Sequence, residues 1–385
     1  MMYAVWFAFT AAFLYIIAGY PVLLALGKDR RLPPVRKDLN FEPSVSVIIA
    51  VFNGATQLRA KLEGLLAMDY PARLLEIIVV SDGSTDGTDA IAKEFSGRGV
   101  VLIRAPRGGK AAALNYGFAR ASGEILFLTD VRQPLEKSAL RHLVANLADP
   151  TVGAVTGELK LVRGDQGEQA DMDLYWRYEI WARSRQSEID SIFNTTGCIY
   201  AIRRALVEPI PADTLTDDAV LPLRAFFRGY RVIFDPLAIA YDYPAVAGTE
   251  FRRRFRTLAG LWQVFARFPA LFTSANRMRG HFLSHKFSRL AMPWTLLIAF
   301  GATLAMPDGW FRNTLLGCHA IPVLLALSNS LIPQGWALKR LSSPARTFFV
   351  MNAAALSALA VFFVPATMIW KPTEVQKQPA DTAVK

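Results

Sequence analysis

Cysteine and charged residues are both scarce in this sequence of 385 residues. Its two cysteines, Cys198 and Cys318, lie far apart, which argues against a disulfide framework and against a cysteine-ligated metal site. Only 19% of the residues are charged, whereas a soluble domain usually carries about a quarter. Hydrophobic residues make up 52% of the chain, so a large apolar fraction must be buried in a protein core or in a membrane.

The apolar residues are concentrated in four long stretches with few or no charges. A helix needs about 17–25 apolar residues to cross a bilayer core of about 30 Å. All four stretches reach that length, although the second is the shortest, and we predict a transmembrane helix in each. They are Met2–Leu26, Leu290–Met306, Phe311–Ile332 and Phe348–Trp370.

Basic residues beside these stretches predict their orientation. Those next to the first stretch all follow it: Lys28, Arg30, Arg31, Arg36 and Lys37. A cleaved signal peptide carries its positive charges before the apolar run, so this order favours a retained anchor with the following domain in the cytoplasm. The same rule predicts further cytoplasmic helix ends and an inner loop at Lys286, Arg289, Lys339, Arg340 and Arg346.

The formal net charge of +11 is consistent with this bias and with attraction to anionic lipids and phosphates. The polar part of the chain has no aromatic-and-basic pattern typical of nucleic-acid binding, so we expect no nucleic-acid partner.

The middle of the chain is predicted to form one α/β domain over residues 42–248. Short runs rich in β-branched residues alternate there with helical segments, as in βαβ units with a mostly parallel sheet. Predicted strands cover residues 44–52, 76–80, 100–104 and 124–129, and predicted helices cover 56–68, 110–121 and 219–227. The other segments are a first transmembrane helix (1–27), a basic linker (28–41), interfacial amphipathic helices (249–287), three transmembrane helices (288–370) and a disordered tail (371–385).

Polar side chains follow several predicted strands at their carboxyl ends, where parallel sheets bind ligands. Asn53, Asp82 and Asp130 each follow a strand, and Lys110 begins a helix directly after two glycines. The free N–H groups of such a helix start attract anions, and a carboxylate beside a diphosphate can bind Mg²⁺. The coincidence predicts a nucleotide site, although helix capping and a solvated lysine are the structural alternatives.

Two further motifs have both a structural and a functional interpretation. Asp217 and Asp218 start the last predicted helix, where carboxylates commonly complement the helix dipole, but one could also be a general base. Arg253 and Arg256 share a face of the segment before the membrane helices. That segment is typical of an interfacial helix facing lipid headgroups, and its arginines could also reach a diphosphate.

Together these segments resemble the family 2 glycosyltransferases of the GT-A fold, especially the membrane-embedded synthases of cellulose, hyaluronan and poly-N-acetylglucosamine. The resemblance extends from Ser44 to Gln263. It rests on five ordered motifs: Val51-Phe52-Asn53, Glu76-Ile-Ile-Val-Val-Ser-Asp-Gly-Ser-Thr-Asp86, Gly109-Lys110 with Ala113-Leu114-Asn115, Asn194-Thr-Thr-Gly-Cys198, and Thr216-Asp-Asp218 with Gly229-Tyr-Arg-Val232.

The resemblance implies a role for each site residue. Asp218 would be the catalytic base, and Asp130 would bind Mg²⁺ or Mn²⁺. Contacts with the nucleotide sugar are implied for Ala50, Asn53, Asp82, Lys110, Asp130, Arg253 and Arg256, and acceptor-side positions for Gly197, Cys198 and Asp217.

Three departures from the family pattern bear on these roles. Arg132 replaces the second carboxylate of the Asp-x-Asp metal motif, which leaves metal dependence open. Only Arg256 remains of the Gln-x-x-Arg-Trp motif, with Thr257 in place of Trp, which leaves sustained polymerisation open. Ser81 replaces the first aspartate of the nucleotide loop.

The sequence therefore predicts an inverting glycosyltransferase of the inner membrane that uses a nucleotide sugar, with a uridine donor favoured by the resemblance. The acceptor would be a growing envelope glycan or a lipid-linked acceptor, and membrane lipids and envelope-assembly proteins would be its partners. One alternative adds a single sugar to a polyprenyl phosphate, which product length distinguishes. The other is a non-catalytic membrane partner in a glycan-assembly complex, which hydrolysis of a nucleotide sugar would exclude.

Overall fold

The computed structural model describes residues 1–27, 32–162, 169–243, 250–333 and 335–369. A seven-stranded sheet forms the centre of the described residues. Its strands are β1 (Val45–Val51), β2 (Leu75–Asp82), β3 (Val100–Ala105), β4 (Ile125–Leu128), β5 (Val152–Leu161), β6 (Tyr200–Arg203) and β7 (Arg231–Asp242). Their order across the sheet is β3-β2-β1-β4-β6-β5-β7.

Most neighbouring strands are parallel, as the sequence predicts. β3, β2, β1 and β4 run in one direction, while β6 runs antiparallel to β4 and β5. Leu128, at the end of β4, pairs with Tyr200, at the start of β6. Because of this reversal, which the sequence pattern does not reveal, the residues before Tyr200 lie at the carboxyl edge of the parallel strands.

The helices of the described residues fall into a group that packs on the sheet and a group that flanks it. The first group is α3 (Ala55–Leu66), α4 (Thr88–Glu94), α5 (Lys110–Arg120), α6 (Ala139–Asn146), α7 (Gln169–Ile189) and α8 (Asp217–Phe227). The flanking helices are α1 (Met2–Leu14), α2 (Tyr20–Leu26), α9 (Glu250–Arg267), α10 (Arg279–His281), α11 (Ser288–Leu304), α12 (Trp310–Ser328), α13 (Lys339–Ser357) and α14 (Ala366–Ile369).

Helices cover both faces of the sheet because successive strand residues point to opposite sides. Val47 and Ile49 of β1 belong to a core shared with α3 and α6, whereas Ile48 belongs to the opposite core with α5 and α8. All three side chains are fully buried. A strand buried on both faces explains the nearly continuous apolar run from which β1 is predicted.

Four helical spans in the described part of the chain are long and apolar enough to cross a membrane, in agreement with the predicted number. They are Met2–Leu26, Arg279–Leu304, Trp310–Ser328 and Lys339–Phe362. Turns of π-helix join α1 to α2 and α10 to α11, and a 3₁₀ segment, Ala358–Phe362, extends α13.

Two predicted boundaries differ from the structure. The second span begins at Arg279, so that Lys286 and Arg289 lie inside it. The inner loop expected around Lys339 and Arg346 is wrong, because both residues lie in α13. Lysine and arginine are good helix formers whose long stems tolerate an apolar setting. The tail expected after residue 370 and part of the basic linker (28–31) lie outside the described residues.

Helix α9 lies between the sheet domain and the last of the four apolar spans. Its Ala259 is fully buried in a small core with Ala358 and Ile369, and Trp262 contacts Phe362 with 6.3 Å between ring centroids. Gln263, one turn after Ala259, accepts a hydrogen bond from the backbone of Leu215, just before α8. Helix α9, part of the segment predicted as interfacial, therefore packs both on the end of the last apolar span and on the start of α8.

A glycine substitution tests the close packing of β5 on β7. A Cβ at Gly157 would lie 2.1 Å from the backbone oxygen of Ala238. We expect Gly157→Ala to lower the free energy of unfolding by about 1–3 kcal/mol, as overpacking does. Gly64→Ala is the control, since that helical position is open and alanine should stabilise it by about 0.5–1 kcal/mol. Equal melting temperatures for the two variants would contradict this packing.

Candidate functional site

One lysine joins carboxylates from two separate parts of the chain at the carboxyl edge of the sheet. Lys110, the first residue of α5, places its Nζ 2.9 Å from Asp130 and 3.2 Å from Asp217. Asp130 follows β4, whereas Asp217 starts α8, almost 90 residues later. The structure thus brings together Lys110 and Asp130, which were predicted as one site from their positions, and Asp217, for which the resemblance implies an acceptor-side position.

The charge on Lys110 is stabilised by this arrangement. Burial alone would lower the pKa of Lys110, but Asp130, Asp217 and Asp218 together raise it above its ordinary value. The lysine therefore remains a cation, and its position at the start of α5 adds the free N–H groups of a helix N-terminus. This end of the site is suited to an anion such as a diphosphate.

Asp218 is a carboxylate held in an unfavourable environment. Burial and the neighbouring charge of Asp217 raise its pKa to about 7, while Lys110 opposes the shift. The backbone carbonyl of Asp218 accepts hydrogen bonds from Thr195, at 2.8 Å from the amide and 2.9 Å from the hydroxyl. A carboxylate with a pKa near neutrality is suited to general base catalysis.

The acceptor-side segment predicted from the sequence lies directly against Asp218. A Cβ placed on Gly197 would be 3.5 Å from the Asp218 carboxylate, an ordinary contact distance. Tyr200 donates a hydrogen bond of 3.2 Å to Asp217, and burial together with the charge of Asp217 raises the pKa of that phenol well above its usual value. The antiparallel course of β6 makes this approach possible.

Cys198 lies beneath the site. Its side chain is buried, and its carbonyl accepts a hydrogen bond from the Thr129 hydroxyl. Lys61 donates to the same hydroxyl and to the Gln133 carbonyl, both at 2.7 Å, and burial lowers the pKa of Lys61 to about 7. These bonds support the loop that carries Asp130. The role of Lys61 has no signal in the sequence, where it is one of several helical lysines.

Asp82 holds the turn that precedes Lys110. One carboxylate oxygen accepts the backbone N–H of Gly108 at 2.7 Å, and the other accepts that of Gly109 at 3.0 Å. Arg107 also pairs with this carboxylate. Asp82 is 3% exposed, and Gly109 has a φ of +87°, which favours glycine. In this structure Asp82 therefore fixes the shape of the turn that precedes Lys110.

Phe52 and Arg107 form a flat surface beside this turn. The guanidinium carbon of Arg107 lies 3.7 Å from the centroid of the Phe52 ring, and Phe52 is 37% exposed. Ala50, in contrast, is partly buried within β1. A planar cation on an exposed ring can extend a stack with a nucleobase. Sequence reasoning missed Arg107 because nothing local distinguishes it from a solvated arginine.

Asn53 joins the first strand end to the loop after the second. Its backbone has a φ of +50°, and its side-chain oxygen accepts the Thr85 N–H at 2.8 Å. Its own N–H donates to the Ser84 hydroxyl. Asparagine tolerates this left-handed conformation better than most residues. Asn53 thus fixes the shape of the edge on which the predicted nucleotide site is built.

Arg256 reaches the site from helix α9. Burial and repulsion by Arg253 lower its pKa, while Asp130 and Asp218 oppose the shift. Close helix packing explains its position, because a Cβ on Gly260 would lie 2.4 Å from the side chain of Thr216. Gly260 therefore allows α9 to approach the start of α8, one turn from Arg256. Arg253, three residues before Arg256 on α9, lies close enough to repel its charge.

Asp130 is the predicted metal ligand, and its side chain is 38% exposed. No group of three His, Cys, Asp or Glu side chains that could hold an ion occurs among the residues that the structure describes. Arg132 pairs with buried Asp242 at 2.8 Å. Mg²⁺ commonly takes only one or two carboxylates together with substrate phosphates. The residues therefore fit a divalent ion whose coordination is completed by a bound diphosphate.

Comparisons with known proteins show which family this chain resembles. A family model described as Glycosyl transferase family 2 matches residues 46–210. The chain is 30% identical over 270 residues to a probable glycosyltransferase of Bacillus subtilis (strain 168), YdaM, with 65% of this chain and 63% of the relative covered. It is 25% identical over 249 residues to poly-beta-1,6-N-acetyl-D-glucosamine synthase of Staphylococcus aureus (strain COL), with 60% of each covered. The chain thus spans less than two thirds of these relatives.

A solved structure matches over almost the whole chain. The mannosyltransferase PcManGT of Pyrobaculum calidifontis, in complex with GDP-Man and Mn²⁺, has a TM-score of 0.75 and 25% identity. The similarity covers 94% of this chain and 99% of that chain.

The raised pKa of Asp218 can be measured directly. We expect one carboxyl of the Asp217–Asp218 pair to lose its proton with a midpoint near pH 7, because burial and like charge disfavour the second negative charge. Infrared difference spectra between pH 5 and 9 would show the loss of a protonated carboxyl band. Asp218→Asn, the control, should lack that band. If both carboxyls of the pair were ionised at pH 5, the pKa of Asp218 would not be raised as we expect.

Proposed function

We propose a specific reaction for this chain, which belongs to glycosyl transferase family 2 and has the GT-A fold. In this reaction a sugar is transferred, with inversion at its anomeric carbon, from a nucleotide sugar to a glycan or lipid-linked acceptor. The observation that carries the proposal is the convergence of Lys110, Asp130 and Asp218 at one edge of the sheet. A base and a cationic anion site then lie side by side.

Asp218 is the proposed general base. Its carboxylate takes the proton of an acceptor hydroxyl as the hydroxyl oxygen attacks the anomeric carbon. The bond from that carbon to the diphosphate oxygen breaks at the same time, and its electron pair leaves with the nucleoside diphosphate. Gly197 lies against the carboxylate and, since it lacks a side chain, leaves room for the acceptor beside it.

Lys110 and Arg256 are the proposed stabilisers of the departing diphosphate. Both are cations within the electrostatic reach of Asp130 and Asp218, so they lie on the side of the site where negative charge develops. Preorganised charges of this kind are usually the largest catalytic contribution, and loss of one donor costs about 3–4 kcal/mol. Arg253 would reinforce the same positive field.

A divalent cation is proposed to bind between Asp130 and the diphosphate. The single carboxylate and its exposure fit such an ion, and the similar mannosyltransferase structure contains Mn²⁺. When bound, the ion would supply positive charge next to the leaving group. The nucleobase is proposed to lie near Phe52 and Arg107, with Asp82 and Asn53 fixing the loops around it.

The donor is proposed to be a uridine diphosphate sugar, as expected from the resemblance to the synthases. One relative is named a poly-beta-1,6-N-acetyl-D-glucosamine synthase, but the similar solved structure holds GDP-Man. A thermal-stabilisation screen of UDP and GDP sugars separates the two bases. A ligand that binds only the folded state at a hundred times its dissociation constant stabilises by about 2.7 kcal/mol.

The four apolar spans support a membrane location. We propose that the protein lies in the inner membrane with the sheet domain in the cytoplasm, where nucleotide sugars are made. Helix α9 then joins the site to the last span, so that an acceptor could leave along the membrane helices. Envelope-assembly proteins remain proposed partners.

The role of Asp218 is tested by its amide variant. We expect Asp218→Asn to bind the nucleotide sugar normally and to lower kcat at least about a hundredfold, because the base is lost while the donor site is intact. Asp69→Asn, a change at an exposed carboxylate paired with Arg141, is the control and should keep its activity. Near-normal turnover in Asp218→Asn would rule out this base.

The metal is tested by binding of nucleoside diphosphate with Mn²⁺ or with EDTA. We expect Mn²⁺ to strengthen binding to the wild type at least about tenfold, or 1.4 kcal/mol. Asp130→Asn should lose most of that dependence, and its affinity in EDTA should hold or rise because Lys110 is released from its ion pair. An unchanged Mn²⁺ effect in the variant would place the ion elsewhere.

A further inference from the structure

A buried glutamate joins the sheet domain to the second membrane span. The carboxylate of Glu179, on α7, lies 2.8 Å from Lys286 and 2.7 Å from Arg289. His285 lies 3.3 Å away. Burial alone would raise the pKa of Glu179, but Arg289 and Lys286 hold it well below its usual range. This carboxylate is therefore ionised and fixes the start of the span Arg279–Leu304 against the sheet domain.

The first membrane span meets the same cluster. Gln186, one turn after Arg183 on α7, donates a hydrogen bond of 2.8 Å to the Tyr20 hydroxyl and lies 3.0 Å from Nδ1 of His285. The rings of Tyr20 and His285 are stacked with 5.7 Å between their centroids. Two spans that are distant in sequence are thus held on one face of α7.

Arg183 extends this cluster toward the candidate active site. Its Nε lies 3.5 Å from Glu179, and its Nη1 donates a hydrogen bond of 2.8 Å to the hydroxyl of Thr196. The residue is 9% exposed. A buried arginine is held in one orientation by such a pair of partners, since an unpaired buried charge is costly.

Thr196 belongs to the segment that contacts Asp218. Thr195 on one side donates two hydrogen bonds to the Asp218 carbonyl, and Gly197 on the other lies against its carboxylate. The amide of Thr196 itself donates to the Thr156 hydroxyl. A continuous series of contacts therefore runs from Glu179 through Arg183 and the Thr195–Gly197 segment to Asp218.

We propose that Arg183, anchored by Glu179, is a positioning residue. It holds the Thr195–Gly197 segment in place and keeps its own guanidinium charge beside Asp218. The inference rests on the proposed function, in which Asp218 is the base. Because Glu179 is also the anchor of the second membrane span, the geometry of the base depends on how that span packs on α7.

The charge of Arg183 also matters because Asp218 is surrounded by competing charges. Asp217 and Asp130 raise the pKa of Asp218 in addition to burial, whereas Lys110 and Arg183 lower it. Asp217 is adjacent to Asp218 on the same helix. Five other segments each bring one titratable or charged group to Asp218, and these groups are Lys110, Asp130, Arg183, Tyr200 and Arg256. Loss of Arg183 should therefore move the pKa of the base upward.

Kinetics of four full-length variants in detergent or liposomes test the proposal. We expect Arg183→Gln to lower kcat at least about tenfold with the donor KM unchanged within about twofold. The acidic limb of its kcat–pH profile should move to higher pH by about half a unit or more. Arg183→Lys should restore the pH profile, because it retains the charge, and part of kcat. Arg185→Gln, at an exposed arginine on the same helix paired with Glu188, should match the wild type.

Thr196→Val gives a second test that leaves every charge in place. It removes the hydroxyl that accepts the Arg183 hydrogen bond at nearly constant volume, and it should lower kcat several-fold without moving the pH profile. This variant decides the question if Arg183→Gln fails to fold, as judged by its melting curve.

The results distinguish a failure of the proposed function from a failure of the positioning role. A wild type without turnover of any nucleotide sugar would refute the proposed function. An active wild type whose Arg183→Gln and Thr196→Val variants keep normal kcat and a normal pH profile would overturn the positioning role alone. The positioning role is supported if Arg183→Gln and Thr196→Val both lower kcat, if only Arg183→Gln moves the acidic limb to higher pH, and if Arg183→Lys reverses that shift.

Discussion

Three carboxylates and one half-buried lysine share a small volume at the edge of the sheet, and the rest of the site is arranged around their charge balance. Lys110 pairs with Asp130 and Asp217, which leaves Asp218 with the repulsion of its neighbours and a raised pKa. An arrangement with one cation for three acidic groups is costly unless a ligand or a proton completes it. This excess of negative charge lowers stability, but it also gives Asp218 a pKa near neutrality and leaves a place for a further cation.

Long-range packing supplies that further charge from outside the sheet. Arg256 arrives on α9 because Gly260 permits close contact with Thr216, and Arg183 arrives on α7 because Glu179 anchors it. Both helices also contact the long apolar spans, α9 through Ala259 and Ala358 and α7 through the cluster around Glu179. The apolar spans therefore contribute to the site through the two helices that bring cations to it.

Much of this arrangement could be predicted from the sequence, and the reasons are local. Apolar runs between turn residues predicted β1, β2 and β4, and polar residues after strand ends predicted Asp130 and Lys110 as neighbours. The antiparallel β6 could not be predicted, because strand direction depends on pairing between distant segments. Arg183 was missed for a similar reason: a charge in a helix has no local sign of burial, and its partners Thr196 and Glu179 differ in no way from surface residues in sequence.

The base and the diphosphate-binding cations should act on one bound nucleotide sugar, and a structure with an unreactive donor analogue would show whether they do. We expect the diphosphate to lie between Lys110 and Arg256, with the anomeric carbon facing Asp218 across the space beside Gly197. A donor bound on another face of the sheet, or with its diphosphate remote from Lys110, would contradict it.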